Sequence, residues 1–321
     1  MLRAGAAAAA LGAAGPLATG RANAATTTSG NHGLPYPPHV LDTSHCTPEV
    51  ADIFRGFFAA KSAHDVPRVM SYFSKENTVY IDASLGIPLT SWQAVNDVFS
   101  AIFPTLPPTA LSYPLRIIGD IRSATVEFVD TPSFFGEELR ALSPVVFDNQ
   151  GKIIRWVDYW DGRSALKQNT VTSTYPTNFQ DSEQNADPAL VQAAQALQAA
   201  FAAGDATAAV ALMSADVVCE DMAAHTRVRG QLQTQRYYTR ALGQLPYGPG
   251  AALVHAGGSR QGGGYEWSAA AVAAPMRRGH TGIELDETGK ISRLTALYDS
   301  SLLSYTAYRS LVGLAAEAPL S

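Results

Sequence analysis

The sequence predicts an α+β protein built from two fused copies of one small domain. Three observations carry that expectation. A chain of 321 residues is about two ordinary domains long. Short segments recur in one order at a spacing of about 139 residues. Within each copy, helical periodicity comes first and strand-like runs follow, which is the α+β order.

The recurrence is specific. Asp148-Asn149-Gln150-Gly151-Lys152-Ile153-Ile154-Arg155 returns as Asp286-Glu287-Thr288-Gly289-Lys290-Ile291-Ser292-Arg293. Tyr159-Trp160-Asp161 returns as Leu297-Tyr298-Asp299, and Leu106-Pro107 as Leu245-Pro246. His64-Asp65 leading to Tyr80-Ile81-Asp82 returns as Gly204-Asp205 leading to Glu220-Asp221. A period this long fits duplication of a whole domain rather than a solenoid unit.

In chain order, residues 1–24 read as an export signal. Arg3 precedes a weakly apolar run, and Ala22-Asn23-Ala24 is a small-x-small cleavage site before Ala25. The run resembles a twin-arginine signal lacking its arginine pair. Residues 25–45 form an extended segment, 46–168 the first domain, 169–187 a polar linker and 188–314 the second domain. Each domain opens on an amphipathic helix, with Val50, Ile53, Phe54, Phe57 and Phe58 in one copy. Leu190, Val191, Ala194, Leu197 and Phe201 form the same stripe in the other. Second helices follow at Val66–Phe73 and Ala206–Met213, and strands at Thr78–Asp82 and Val217–Asp221. Third helices run over Trp92–Phe103 and Gln231–Leu245, ended by Pro104 and Pro246. The remainder reads as strands, with the stretch Gly257–Gly264 as a flexible hairpin loop.

Composition narrows the function. Hydrophobic residues at 46% and charged residues at 16% describe a packed globule. A net charge of −5, with no basic run longer than Arg277-Arg278, argues against nucleic acid as a partner. No stretch suits a membrane span. The chain has two cysteines, Cys46 and Cys219, and neither CxxC nor HExxH, so no metal is expected. Cys219 reads as a small buried hydrophobe rather than half of a bridge.

Two stretches carry a family resemblance. Val228-Arg229-Gly230-Gln231-Leu232-Gln233-Thr234-Gln235-Arg236-Tyr237-Tyr238, lying after Ala203-Gly204-Asp205 and Cys219-Glu220-Asp221, resembles the NTF2-like/ketosteroid-isomerase-like superfamily. The ending Gly151-Lys152-Ile153-Ile154-Arg155-Trp156-Val157-Asp158-Tyr159-Trp160-Asp161 is similar to its SnoaL-like polyketide cyclase branch. The resemblance implies two tandem cone-shaped NTF2-like domains, each three helices on a strongly curved antiparallel sheet. It also implies a pocket inside each cone and no cofactor. Single-domain relatives pair through the outer sheet face, so two fused copies imply an intramolecular pseudo-dimer, monomeric as a chain. Fold alone does not choose among isomerases, cyclases, hydrolases and binding modules.

The candidate chemistry is carboxylate acid/base catalysis. Asp82 and Asp221 end the first strand, where isomerases of the superfamily place a base; each equally suits a cap on the following turn. Asp161 and Asp299 close the last strand, and Asp158, matched by Ala296 in the second copy, fits the SnoaL-like ending. Recurrence favours Asp161, while strand alternation lets at most one of Asp158 and Asp161 face a pocket. Tyr80, Trp160, Tyr298, His255 and Trp267 are candidate substrate contacts. The oxyanion positions of ketosteroid isomerases fall on Phe57 or Leu197 and on Ser143 or Thr281, which argues against steroid isomerisation. The glutamate of epoxide-opening relatives falls on Thr109 or Gly248. Three readings stay open: a cofactor-independent cyclase, isomerase or hydrolase acting on a small hydrophobic molecule, an exported protein that binds such a ligand without turnover, or a scaffold in which one copy has lost its pocket and only supports the other. Unequal linings predict at most one fully active pocket.

Overall fold

The computed structural model describes residues 40–163 and 185–316. The predicted signal segment, residues 25–39 and most of the 169–187 linker lie outside the described residues. Each half begins with a parallel edge strand, β1 (Asp42–Cys46) in the first and β8 (Asn185–Ala186) in the second. Residues 42–46 and 185–186, at the ends of the expected extension and linker, pair as these edge strands.

Helix α1 (Pro48–Ser62) starts on a proline in its first turn and buries Val50, Phe54, Phe57 and Phe58, each at most 2% exposed. The short α2 (Val66–Met70) follows a sharp turn. His64 adopts φ 54° and its counterpart Gly204 φ 68°, the left-handed conformation that ends a helix. The next residue is then the N-cap: Asp65 accepts from the Arg68 N–H at 3.0 Å, and Asp205 from the Ala208 N–H at 2.9 Å. The repeated turn is therefore a capping device. Strands β2 (Val79–Asp82) and β3 (Ile87–Leu89) lead to α3 (Trp92–Ile102), capped by Ser91. The antiparallel meander β4 (Ser112–Gly119), β5 (Ser123–Asp130), β6 (Leu139–Phe147) and β7 (Ile153–Trp160) follows, with a one-turn helix α4 (Pro132–Phe135) after β5.

The second half repeats this with α5 (Pro188–Ala202), α6 (Ala206–Ala211), β9 (Met213–Asp221), β10 (Thr226–Arg229) and α7 (Gln231–Ala241). Strands β11 (Ala252–Ser259), β12 (Gly262–Ser268), β13 (Arg278–Leu285) and β14 (Ile291–Leu297) and the terminal α8 (Tyr305–Gly313) complete it. The strand orders are β1-β4-β5-β6-β7-β2-β3 and β8-β11-β12-β13-β14-β9-β10, the same topology twice. Only the central four strands of each sheet form an antiparallel run. A parallel neighbour flanks it on each side, β1 and β2 in the first half and β8 and β9 in the second. No helix among the described residues is long and apolar enough to cross a membrane.

The two sheets pack face to face within the chain, β4–β6 against β11–β13. Their contact is polar. Arg116 pairs with Glu127 and, at 3.2 Å, with Glu284 of the other half; Arg155 pairs with Glu266 at 2.7 Å across the junction. The Tyr159 hydroxyl donates to Glu266 at 2.6 Å, and Thr125 Oγ1 lies 3.0 Å from His280 Nε2. The desolvation cost of such buried pairs offsets much of their mutual attraction. The glycines of 257–264, expected as a flexible loop, lie mainly in β11 and β12 at this contact. A Cβ on Gly264 would fall 2.6 Å from Thr125 Oγ1 and 2.5 Å from the His280 ring. These glycines let the sheets approach.

Candidate functional site

Register builds the site in the first half. Strands β2 and β7 run parallel, with Asp82 beside Asp158 and Tyr80 beside Trp156. Neighbours in a parallel ladder share a face, so both carboxylates and both aromatic rings enter the same cone. They line a cavity of about 100 Å³. Its walls include Phe57, Phe99, Phe103, Phe128, Phe134 and Trp160, and its half-buried rim Leu85, Ile87 and Leu89.

The two carboxylates are held differently. Asp158 accepts on Oδ1 from Ser143 Oγ at 2.6 Å and from Trp156 Nε1 at 2.5 Å, and on Oδ2 from the Tyr80 hydroxyl. Asp82 accepts on Oδ1 from the Leu85 N–H at 2.8 Å, the Ser84 N–H at 3.0 Å and Trp160 Nε1 at 3.1 Å. Its Oδ2 accepts from the same Trp160 Nε1 at 3.2 Å, and the other hydrogen bonds to the carboxylate among the described residues are on Oδ1.

Burial pushes the Asp82 carboxyl up to about 7, with the adjacent Asp158 charge adding to the rise and the Leu85, Trp160 and Ser84 donors opposing it. Burial raises Asp158 too, against the Ser143, Tyr80 and Trp156 donors and the Lys61 charge. Burial thus raises both carboxyls, and the neighbouring pair titrates as a coupled dyad.

A second polar cluster faces the same cavity. Lys61, in the last turn of α1, donates to Asp130 Oδ1 and Oδ2 at 2.8 and 3.0 Å, and Asp130 also accepts from Ser112 Oγ. Sequence reasoning does not single out Lys61, Asp130 or Trp156, and it names Ser143 only as a departure from the isomerase pattern. For Lys61 the signal existed: it stands four residues after Phe57 on an otherwise apolar stripe.

The second cone has the same frame with other contents. Asp221 aligns beside Ala296, so the second carboxylate is missing. Asp221 accepts from the Ala224 N–H at 2.8 Å, the Tyr247 hydroxyl at 3.1 Å and the Tyr298 hydroxyl at 3.2 Å, and burial pushes it up to about 7. Tyr237, Tyr238, Tyr247, Tyr265, Trp267 and Tyr298, each at most 2% exposed, fill the interior around it. Trp267 donates to Thr281 Oγ1 at 3.0 Å.

Three expected site residues lie outside both cones. Asp161 and Asp299 fasten the halves together: the Ser300 N–H donates to Asp161 at 2.8 Å, and the Gly162 N–H to Asp299 at 3.0 Å. Strand β7 ends at Trp160, so Asp161 is free of the alternation that points Asp158 inward. His255 faces the sheet–sheet junction beside Glu266, at 3.3 Å, because it stands on the outer face of β11. Cys46 and Cys219 are both free.

No protein-family profile matches this sequence, and no curated protein does. The structural neighbours include NTF2-like and SnoaL-like proteins. A SnoaL-like protein of unknown function from Burkholderia thailandensis is 14% identical over 36% of this chain and 98% of its own, with a TM-score of 0.32. An NTF2-like protein of unknown function from Burkholderia xenovorans is 15% identical over 35% and 82%, with a TM-score of 0.30. A steroid delta-isomerase from Pseudomonas aeruginosa is 15% identical over 38% and 85%, with a TM-score of 0.31. No activity transfers at such identity.

Proposed function

We propose that the chain is a cofactor-independent acid/base enzyme of the isomerase, cyclase or hydrolase kind, acting on a small hydrophobic molecule in the first cone. Asp82 is the base and Asp158 its fixed neighbour. The observation that carries this reading is the parallel register of Asp82 and Asp158 inside an apolar cavity, with one Asp82 oxygen held only by a Trp160 N–H that it shares with the other, among the described residues. Asp158, held by Tyr80, Ser143 and Trp156, keeps the charge that makes Asp82 basic near neutrality. Trp160 and Tyr80 then serve the carboxylates before any substrate. The second cone, filled by its own tyrosines, supports the first. The chain acts as a monomeric pseudo-dimer after export and cleavage before Ala25.

The test is deuterium uptake from D₂O into cyclohexanone, followed by mass spectrometry, with the intact chain and with Asp82→Asn. Uptake that depends on Asp82 supports the enzyme. Cyclohexanone binding without Asp82-dependent uptake points instead to the ligand-binding alternative, which the largely internal bonding of Asp158 favours.

A further inference from the structure

We infer that Lys61 is the polar contact opposite the carboxylates, and that the cavity takes an uncharged single-ring molecule bearing a carbonyl oxygen. This rests on the reading that Asp82 moves a proton, and it adds where the resulting charge goes and what the substrate is.

Three observations converge. The first is the environment of the ammonium. The Lys61 side chain is 13% exposed, and its hydrogen bonds among the described residues go to Asp130 alone. An ammonium has three donors, and Nζ otherwise meets aromatic rings, 4.7 Å from the Phe128 centroid and 5.3 Å from that of Phe134. A carbonyl oxygen entering the cavity would be a stronger acceptor than a ring face.

The second is charge. Lys61 is the one cation among the lining residues, set against Asp82, Asp130 and Asp158. An anionic ligand would meet net negative charge, whereas a neutral acceptor meets the ammonium without opposing the dyad. Phe128 leans on Trp156, with centroids 6.3 Å apart, and Trp156 bonds Asp158, so the aromatic wall runs from the ammonium to the dyad.

The third is size. The cavity holds about 100 Å³. An apolar cavity of about 150 Å³ accepts benzene. By that comparison one six-membered ring is the upper limit, and a four-ring skeleton is too large.

The chemistry balances. Asp82 carboxylate takes a proton from carbon next to the carbonyl; the C–H electron pair becomes the enolate π bond, and the carbonyl π pair moves to oxygen. The Lys61 ammonium holds that oxygen by a charge-assisted hydrogen bond. Protonated Asp82 then returns the proton to the same or a conjugated carbon.

The test compares cyclohexanone with methylenecyclohexane, which has the same shape without the oxygen, by calorimetric titration of the full chain. The intact protein is expected to bind the ketone about tenfold more tightly. Lys61→Met is expected to erase the preference while leaving the hydrocarbon affinity within about twofold. Because Lys61→Met strands Asp130, Lys61→Met with Asp130→Asn provides a second variant that leaves no unpaired carboxylate. Asp82→Asn should keep the tenfold preference and lose deuterium exchange. A preference that survives both Lys61 variants overturns the inference, as does a tetracyclic ketone binding as tightly as cyclohexanone, or no preference in the intact protein. If Asp82→Asn leaves exchange intact while both Lys61 variants lose the preference, the base assignment fails and the Lys61 contact stands.

Discussion

Replacing Asp82 by Asn should make the protein less active and, above neutral pH, more stable. The carboxamide oxygen can still accept from the Ser84 and Leu85 N–H groups, so the turn survives. What disappears is the proton acceptor, worth about 10²–10⁴-fold in rate for a general base. The stability sign follows from the pKa, raised from 3.8 to about 7. Below 3.8 the carboxyl is protonated both folded and unfolded. Between 3.8 and about 7 the unfolded chain ionises while the folded one keeps its proton, so stability falls as pH rises. Above about 7 the folded chain carries the buried charge, at a cost of up to about 4 kcal/mol. Asn never carries that charge. Denaturant midpoints of the two proteins should therefore coincide near pH 4 and separate by pH 8, with the variant the more stable. The exchange rate with the intact protein should rise about tenfold from pH 6 to pH 8, as the ionised fraction grows from about a tenth to nine tenths. A variant with intact exchange, a flat rate profile, or lower stability at pH 8 would refute the reasoning.

Removing the neighbouring charge with Asp158→Asn should lower the midpoint of the pH–rate profile, because that charge raises Asp82; an unmoved midpoint would mean that burial alone sets it. In the second cone, Asp221→Asn should leave exchange unchanged within about twofold while gaining a stability advantage that grows from about pH 4 and levels off above pH 7, read by thermal melts at pH 4 and pH 8. Loss of exchange there would move the active cone. Gly264→Ala should destabilise the chain by about 1–3 kcal/mol in denaturant titration, since its Cβ has no room between the sheets. When the full chain is made in a secreting bacterium, N-terminal sequencing of the product should begin at Ala25; retention of Arg3 would end the export proposal.

The fold was legible because duplication printed it twice. A repeated Gly or His before a repeated Asp encodes a helix end followed by a cap, and the geometry at His64 and Gly204 shows why. The repeated Asp-x-x-Gly encodes the hairpin turn before β7 and β14, where Gly151 and Gly289 have φ 70° and 79°. Half of the site was legible for the same reason, since Asp82 and Asp221 recur. The partner was harder. Recurrence favoured Asp161, but its conservation between the halves reflects the junction, where Asp161 and Asp299 make reciprocal contacts. Asp158 lies in β7 beside Asp82, and parallel pairing between strands about 70 residues apart leaves no local trace. Lys61 was hidden by its setting, because a lysine on an apolar helical stripe reads as a side chain reaching out to solvent. Only the fold supplies Asp130.

Fusion of the two sheets into one chain has a further result. In a dimer of identical chains every substitution is made twice, so a cone cannot be packed solid for rigidity without closing its twin. Here Cys219 and Ala296 stand where the first half has Tyr80 and Asp158, and buried tyrosines crowd the second cone while a cavity opens in the first. Covalent linkage thus permits a division of labour. The filled half can carry the burden of stability and leave its sister free to keep two unhappy carboxylates together in a dry cavity.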